Sequence, residues 1–135
     1  MISVTTDPLD VTAHEAAVSV PQAGAVVSFA GVVRDHDHGR GVESLTYEAH
    51  PSAEDVLREV VEEIAADPDV YAISVSHRHG PLKIGDVALA AAVSTAHRAA
   101  AFAACARLVD TVKQRLPIWK HQVFTDGTDE WVNCP

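Results

Sequence analysis

Cysteine is nearly absent, with Cys105 and Cys134 the only two in 135 residues. Two thiols so far apart form neither a disulfide framework nor a Cys-x-x-Cys metal site, and they fit a reducing compartment. Positive charge is scarce too. Ten Lys and Arg stand against 19 Asp and Glu, a formal charge of −9, which argues against a general nucleic-acid binder because phosphate contacts need a basic face. No stretch approaches the ~20 apolar residues that span a bilayer. Met1 to Asp10 lacks the basic and then apolar pattern of a signal peptide, so the expected location is cytoplasmic. Repeats, low-complexity tracts and linker-like stretches are also missing, leaving one domain over 1–135 as the expectation. Against this background the three lysines, Lys83, Lys113 and Lys120, become informative.

What is present alternates between helix and strand. Thr12 with Glu15 has capping-box spacing and predicts a short helix through about Ser19, broken by Pro21 to Gly24. Ala25 to Arg34 is apolar on both alternating faces, as for a central strand covered on two sides. Asp35 to Gly41 reads as a loop. Val42 to His50 then alternates, with Leu45, Tyr47 and Ala49 on one face, as a possible antiparallel neighbour of the preceding strand. After Pro51-Ser52, the acidic Glu54 and Asp55 suit the start of a helix whose stripe is Val56, Val60 and Ile64, flanked by Leu57 and Val61. Asp67-Pro68-Asp69 ends it. Strands are expected at Val70 to His79 and Val87 to Ser94, with turn chemistry between them. Phe102, Cys105, Val109, Val112 and Leu116 recur at helical steps and predict a second long helix from about His97 to Leu116, stopped by Pro117. Ile118 to Phe124 alternates as a short strand, and Asp126-Gly127 turns the chain toward Trp131 and Val132. The expected class is α+β, a single domain with a largely antiparallel sheet and two main helices.

Lys113 lies beside the buried stripe, one turn before the helix ends. Lys120 follows Pro117 on a strand whose period of two groups it with Ile118 and Gln122, leaving Trp119 and His121 opposite. The two amines can converge and depress one another's pKa, making one of them a base or nucleophile; alternatively both are surface lysines lying along the helix end. His97-Arg98 opens the long helix, where unpaired N–H groups and a guanidinium fork suit a phosphate, or else forms a solvated first turn. Arg34 is a further anion candidate or a strand-end charge. Asp35, His36, Asp37 and His38 offer donors but no distant third and fourth ligands, so no metal site is assigned. His77 to His79 reads as a half-exposed strand end, and Cys105 as an inert core thiol.

Taken together, the segments resemble the large, catalytic subunit of molybdopterin synthase, the MoaE family. The resemblance is carried by Gly24 to Arg34, Leu45 to Glu48, His77 to Gly80 with Ile84 to Asp86, Ala96 to Arg98 with Ala101-Phe102, Lys113 through Pro117-Ile-Trp-Lys120, and Asp126-Gly127 with Trp131-Val132. It covers about residues 20–133. It implies the MoaE-like alpha/beta hammerhead fold and a sulfurtransferase. In that reaction a small ubiquitin-like (MoaD-like) sulfur-carrier subunit inserts a thiocarboxylated Gly-Gly tail, and sulfur passes to cyclic pyranopterin monophosphate to build the molybdopterin dithiolene. By position, Lys113 and Lys120 match the catalytic lysines and Arg34, His97 and Arg98 the anion and pterin contacts. Gln122, His121, Val32 and Val33 complete the implied substrate-binding set. No resident cofactor is implied. A homodimer carrying a small partner at each outer end, a heterotetramer, is implied, with neither nucleic acid nor membrane.

Two departures stand out. Many relatives carry an acidic residue where this chain has Gln122, and a lysine where it has Val32. An amide can hydrogen-bond a pterin edge but cannot act as a base. Two other classes stay open: a non-catalytic module that binds only the partner's tail, and a metal-responsive module built on Asp35 to His38.

Overall fold

The structure, a computed structural model, describes residues 1–132. Two sheets share the chain. The first has the order β1 (Ile2–Thr5), β5 (Val70–Arg78), β7 (Val87–Thr95), β2 (Ala25–Val32), and the second runs β3 (His36–Asp37), β4 (Arg40–Ala49), β8 (Ile118–Phe124), β9 (Asp129–Val132), with β6 (Gly80–Leu82) also paired to β4. The α+β expectation holds, with three helices among the described residues; every strand pairing among them is antiparallel apart from β1 with β5.

The first sheet is built around β7 (Val87–Thr95), in which every residue after Val87 is buried. Its small side chains explain its central place, because alanine lets helices approach both faces closely. Leu89, Ala91 and Val93 join the main core with α2 (Ala53–Ala65) and α3 (Arg98–Arg115). The opposite face, with Ser76 of β5, meets α1 (Val11–Val18).

That arrangement corrects the expectation for Ala25 to Arg34. The strand β2 (Ala25–Val32) lies at the sheet's edge, half-exposed and exposed residues alternate along it, and Val26 and Val32 are 41% and 48% accessible. Apolar residues on both faces report β propensity and not the number of hydrogen-bonded neighbours. Nor is β2 paired with β4 (Arg40–Ala49), as the sequence suggested. β2 pairs with β7, whereas β4 pairs with β8 (Ile118–Phe124) along its length and with β6 (Gly80–Leu82) on its other side.

The segment expected as a loop before β4 is a tight hairpin. β3 (His36–Asp37) pairs with Arg40 and Gly41, and the two turn residues, His38 and Gly39, have φ of 50° and 77°. Two successive positive φ values in a two-residue loop are those of a type I′ turn, which suits the twist of paired strands.

The helices differ from expectation in detail. α1 is capped by Asp10, whose carboxylate accepts from the Ala13 N–H at 3.1 Å, and not by Thr12; Glu15 instead accepts from the Ser28 hydroxyl. In α2 the buried line is Ala53, Leu57, Val60 and Ile64, with Val56 and Val61 half-buried at its margins. In α3 it is Ala101, Ala104, Cys105, Leu108, Val109 and Val112. Phe102, expected in that stripe, is 62% exposed; it sits one residue round from Ala101 and borders an apolar groove with Phe29 and Ala106. Cys105 is buried, and burial pushes its thiol pKa up, as befits a core thiol. Gly127, with φ of 87°, turns the chain into β9 (Asp129–Val132), which carries Trp131 and Val132. Cys134 lies outside the described residues. Among those described, no helix is long and apolar enough to cross a membrane.

Candidate active site

Pro117 cannot continue α3, so the chain leaves the helix at Leu116 and enters β8 two residues later. Lys113 therefore sits on the last helical turn and Lys120 on the strand, paired with Tyr47 of β4. The two lysines border one cavity of about 260 Å³. Arg34 and Val32 close it from the end of β2, Ala88 and Leu89 from β7, and Tyr47 and His77 from β4 and β5. Of the expected site residues, Arg34, Val32, Lys113 and Lys120 thus come together.

No carboxylate lines this cavity among the described residues. The buried carboxylate of Asp37 interacts with two of the cavity's cations, Arg34 and Lys120. One of its oxygens lies 3.3 Å from the Arg34 guanidinium, and the other accepts a 2.7 Å bond from the Gln122 amide. That amide bond chiefly holds the Asp37 carboxyl below its usual range; burial opposes it, and the charges of Lys120, His38 and Arg34 reinforce it. Asp37 is ionised at neutral pH.

His77 is 1% exposed and packs edge-on to Tyr47, ring centroids 5.0 Å apart. Burial pushes its pKa down to about 4, against a backbone hydrogen bond that raises it and alongside the charges of Lys113 and His79 that lower it. The imidazole is therefore neutral near pH 7. Its Nδ1–H donates to the Arg78 carbonyl at 2.7 Å, which leaves Nε2 as the acceptor nitrogen.

The other expected contacts lie elsewhere. Gln122 is 2% exposed and does not line the cavity; its Nε2 donates to Asp37 and, at 3.1 Å, to Glu130. His121 faces away, stacked on Trp131 and 2.7 Å from an Asp129 oxygen. Val33 is buried in the core, and its N–H donates to Asp86. His97 borders a different cavity, with Tyr71 and Asp69. Arg98 opens α3, fifteen residues before Lys113, which at helical rise is roughly 22 Å along the axis. Within one chain His97 and Arg98 do not meet the lysines.

The structure adds His77 and Asp37, which the sequence reading assigned elsewhere. The available signal for His77 was its parity with Val75 on a buried strand. Asp37 sits in a polar run that resembles a loop and carried no such signal. Around it, His36 pairs with Asp35 at 2.8 Å, and the exposed His38 places its Nε2 3.7 Å from an oxygen of the buried Asp37 carboxylate. Among the described residues no group of three or more His, Cys, Asp or Glu is placed to hold a metal.

The family described as MoaE protein matches residues 4–115. The molybdopterin synthase catalytic subunit 1 of Mycobacterium tuberculosis is 41% identical over 96% of this chain and 88% of its own length. The chain spans 61% of the length of the Arabidopsis thaliana molybdopterin synthase catalytic subunit, to which it is 40% identical over 88% of its own residues. Its fold is similar to the solved molybdopterin synthase from Staphylococcus aureus, with a TM-score of 0.87, 34% identity and coverage of 96% of this chain and 94% of that one. A complex of subunits 1 and 2 of molybdopterin-converting factor from Helicobacter pylori shares the fold at a TM-score of 0.74 and 20% identity, covering 98% and 90% of the two chains. The chain belongs to the MoaE family, that of the molybdopterin synthase catalytic subunits of molybdenum cofactor biosynthesis.

Proposed function

We propose that the cavity between α3 and β8 is where sulfur passes from a thiocarboxylated small partner to cyclic pyranopterin monophosphate. The observation that carries this reading is the convergence of Lys113, Lys120 and Arg34 on one cavity that, among the described residues, no carboxylate lines. Three cations there attract the phosphate of the substrate and the thiocarboxylate of the partner's tail. Electrophilic stabilisation and proton transfer at the pterin fall to the lysines. Lys120 is assigned to the reacting centre and Lys113 to positioning or proton transfer. His77, neutral with one acceptor nitrogen, suits a hydrogen bond to a pterin N–H or O–H.

The partner is a ubiquitin-like sulfur carrier ending in Gly-Gly. Two deliveries of sulfur complete the dithiolene. His97 and Arg98 keep their role as anion contacts through a homodimer, in which a second copy brings them to the cavity that its neighbour's helix keeps them from. The working assembly is then a heterotetramer, and the location is the cytoplasm.

The test is conversion of cyclic pyranopterin monophosphate to molybdopterin by this protein mixed with a thiocarboxylated partner, beside Lys120→Ala. Product from the wild type alone supports the reading. No product from either, with the partner still bound, replaces it with a non-catalytic tail-binding module, and full activity of Lys120→Ala removes the lysine assignment.

A further inference from the structure

Arg34 has a long side chain, 62% exposed, at the rim of the cavity. Unanchored, such a side chain spreads over many rotamers and meets a substrate anion at an entropic cost. Its hydrogen-bonding anchor among the described residues is Asp37, at 3.3 Å. Asp37 is itself fixed. The I′ turn at His38-Gly39 folds β3 onto β4, and the Gln122 amide on β8 clamps the second carboxylate oxygen at 2.7 Å. The same nitrogen donates to Glu130 as well, so both N–H groups of Gln122 are committed and the amide can point only one way.

Charge balance leads to the same residue. Lys113, Lys120 and Arg34 repel one another across a small cavity, and Asp37 is the buried carboxylate that interacts with both Lys120 and Arg34.

We propose that Asp37, clamped by Gln122, is a positioning residue of this site: it holds the Arg34 guanidinium at the cavity wall so that the phosphate of the substrate meets a pre-ordered cation. The inference rests on the function proposed above. Gln122 then acts as the clamp of a carboxylate on β3, across β4 from its own strand, and not as a substrate contact.

A double-mutant cycle tests it. Asp37→Asn keeps the size and a hydrogen-bonding oxygen but removes the charge that holds Arg34. Calorimetric binding of cyclic pyranopterin monophosphate and steady-state turnover are measured for wild type, Asp37→Asn, Arg34→Gln and the double variant. Asp37→Asn is expected to raise Kd and KM about fivefold, the reach of a partly exposed ion pair, with kcat changed by less than about twofold. In the Arg34→Gln background the same change is expected to have no further effect. A merely structural role would lower kcat and thermal stability in both backgrounds, and that outcome overturns the proposal. So does unchanged or tighter binding, which would follow from removing a negative charge beside an anion site.

A wild type that binds the pterin but makes no product removes the proposed function, while the binding cycle still decides on Asp37. A wild type that does neither removes both. Should Asp37→Asn not fold, the 15N spectrum of the Arg34 guanidinium in the wild type decides: slowed rotation is expected, and free rotation overturns the assignment.

Discussion

The Nε2 atom of His14 lies 2.7 Å from the hydroxyl oxygen of Ser76, joining α1 to the middle of the first sheet. Both residues are buried. The ring's Nδ1–H donates to the Asp10 carbonyl at 2.7 Å, so Nε2 is the acceptor and the Ser76 hydroxyl donates to it. Ser3 in turn donates to Ser76 at 2.8 Å, tying β1 into the same chain. His14→Leu keeps the volume but removes the acceptor of the buried Ser76 hydroxyl and one of the two donors to the Asp10 carbonyl, which keeps the residue-14 backbone N–H. A loss of about 2 kcal/mol is expected in urea unfolding, with turnover unchanged because the pair borders a different cavity, Ser76 pointing to the sheet face opposite that of His77. A stability equal to wild type would show that burial alone seats α1.

His77 makes folding sensitive to mild acid. Its pKa of about 4 in the folded chain lies below the 6.5 of the free side chain, so between these values the unfolded chain binds more protons than the folded one. Stability from this group is complete above about pH 6.5 and declines as pH falls toward 4. Asp37, whose pKa is lowered, adds its own loss only as pH drops through and below the ordinary carboxylate range. Thermal melts from pH 7 to 4.5 are expected to fall more steeply for wild type than for His77→Gln. Parallel curves would place the acid sensitivity elsewhere.

The lysines are expected to separate activity from stability. Lys113→Ala and Lys120→Ala should each lower turnover on the order of 10²-fold, the scale of a positioned proton-transfer group. Neither fills the core, so unfolding free energies should stay within about 1 kcal/mol of wild type. A variant that loses both in proportion would be a folding defect.

If His97 and Arg98 act across a dimer, two inactive variants complement each other. Arg98→Ala damages the contribution to the neighbour's cavity and Lys120→Ala the chain's own. A mixed dimer then retains one intact cavity of two, and random mixing recovers about a quarter of wild-type activity. Mixed subunits that stay inactive, with exchange verified by mass, would remove the shared-site arrangement.

Much of this protein was legible in its residues. Pro117 between an amphipathic helix and an alternating strand determined that Lys113 and Lys120 lie at one junction, because a proline must end the helix and the period of two then sets which face Lys120 takes. The alternation of Leu45, Tyr47 and Ala49 named the inner face of β4. These are local rules, satisfied within a few residues of chain.

What only the tertiary structure decided are relations between distant segments. The apolar pattern of Ala25 to Val32 is compatible with a centre or an edge, and the alanines of β7 took the centre because two helix layers had to reach it. Phe102 fits the helical period yet faces outward, since the stripe that packs on the sheet is set by Ala101, Ala104 and Leu108. Asp37 sits among polar residues, and the amide that clamps its buried carboxylate belongs to Gln122, 85 positions later. The cavity likewise needs β2, β4, β5, β7, α3 and β8 at once. Periodicity along a chain reports which face of an element is buried, whereas the pairing of strands and the meeting of helices fix what lies on the other side of that face.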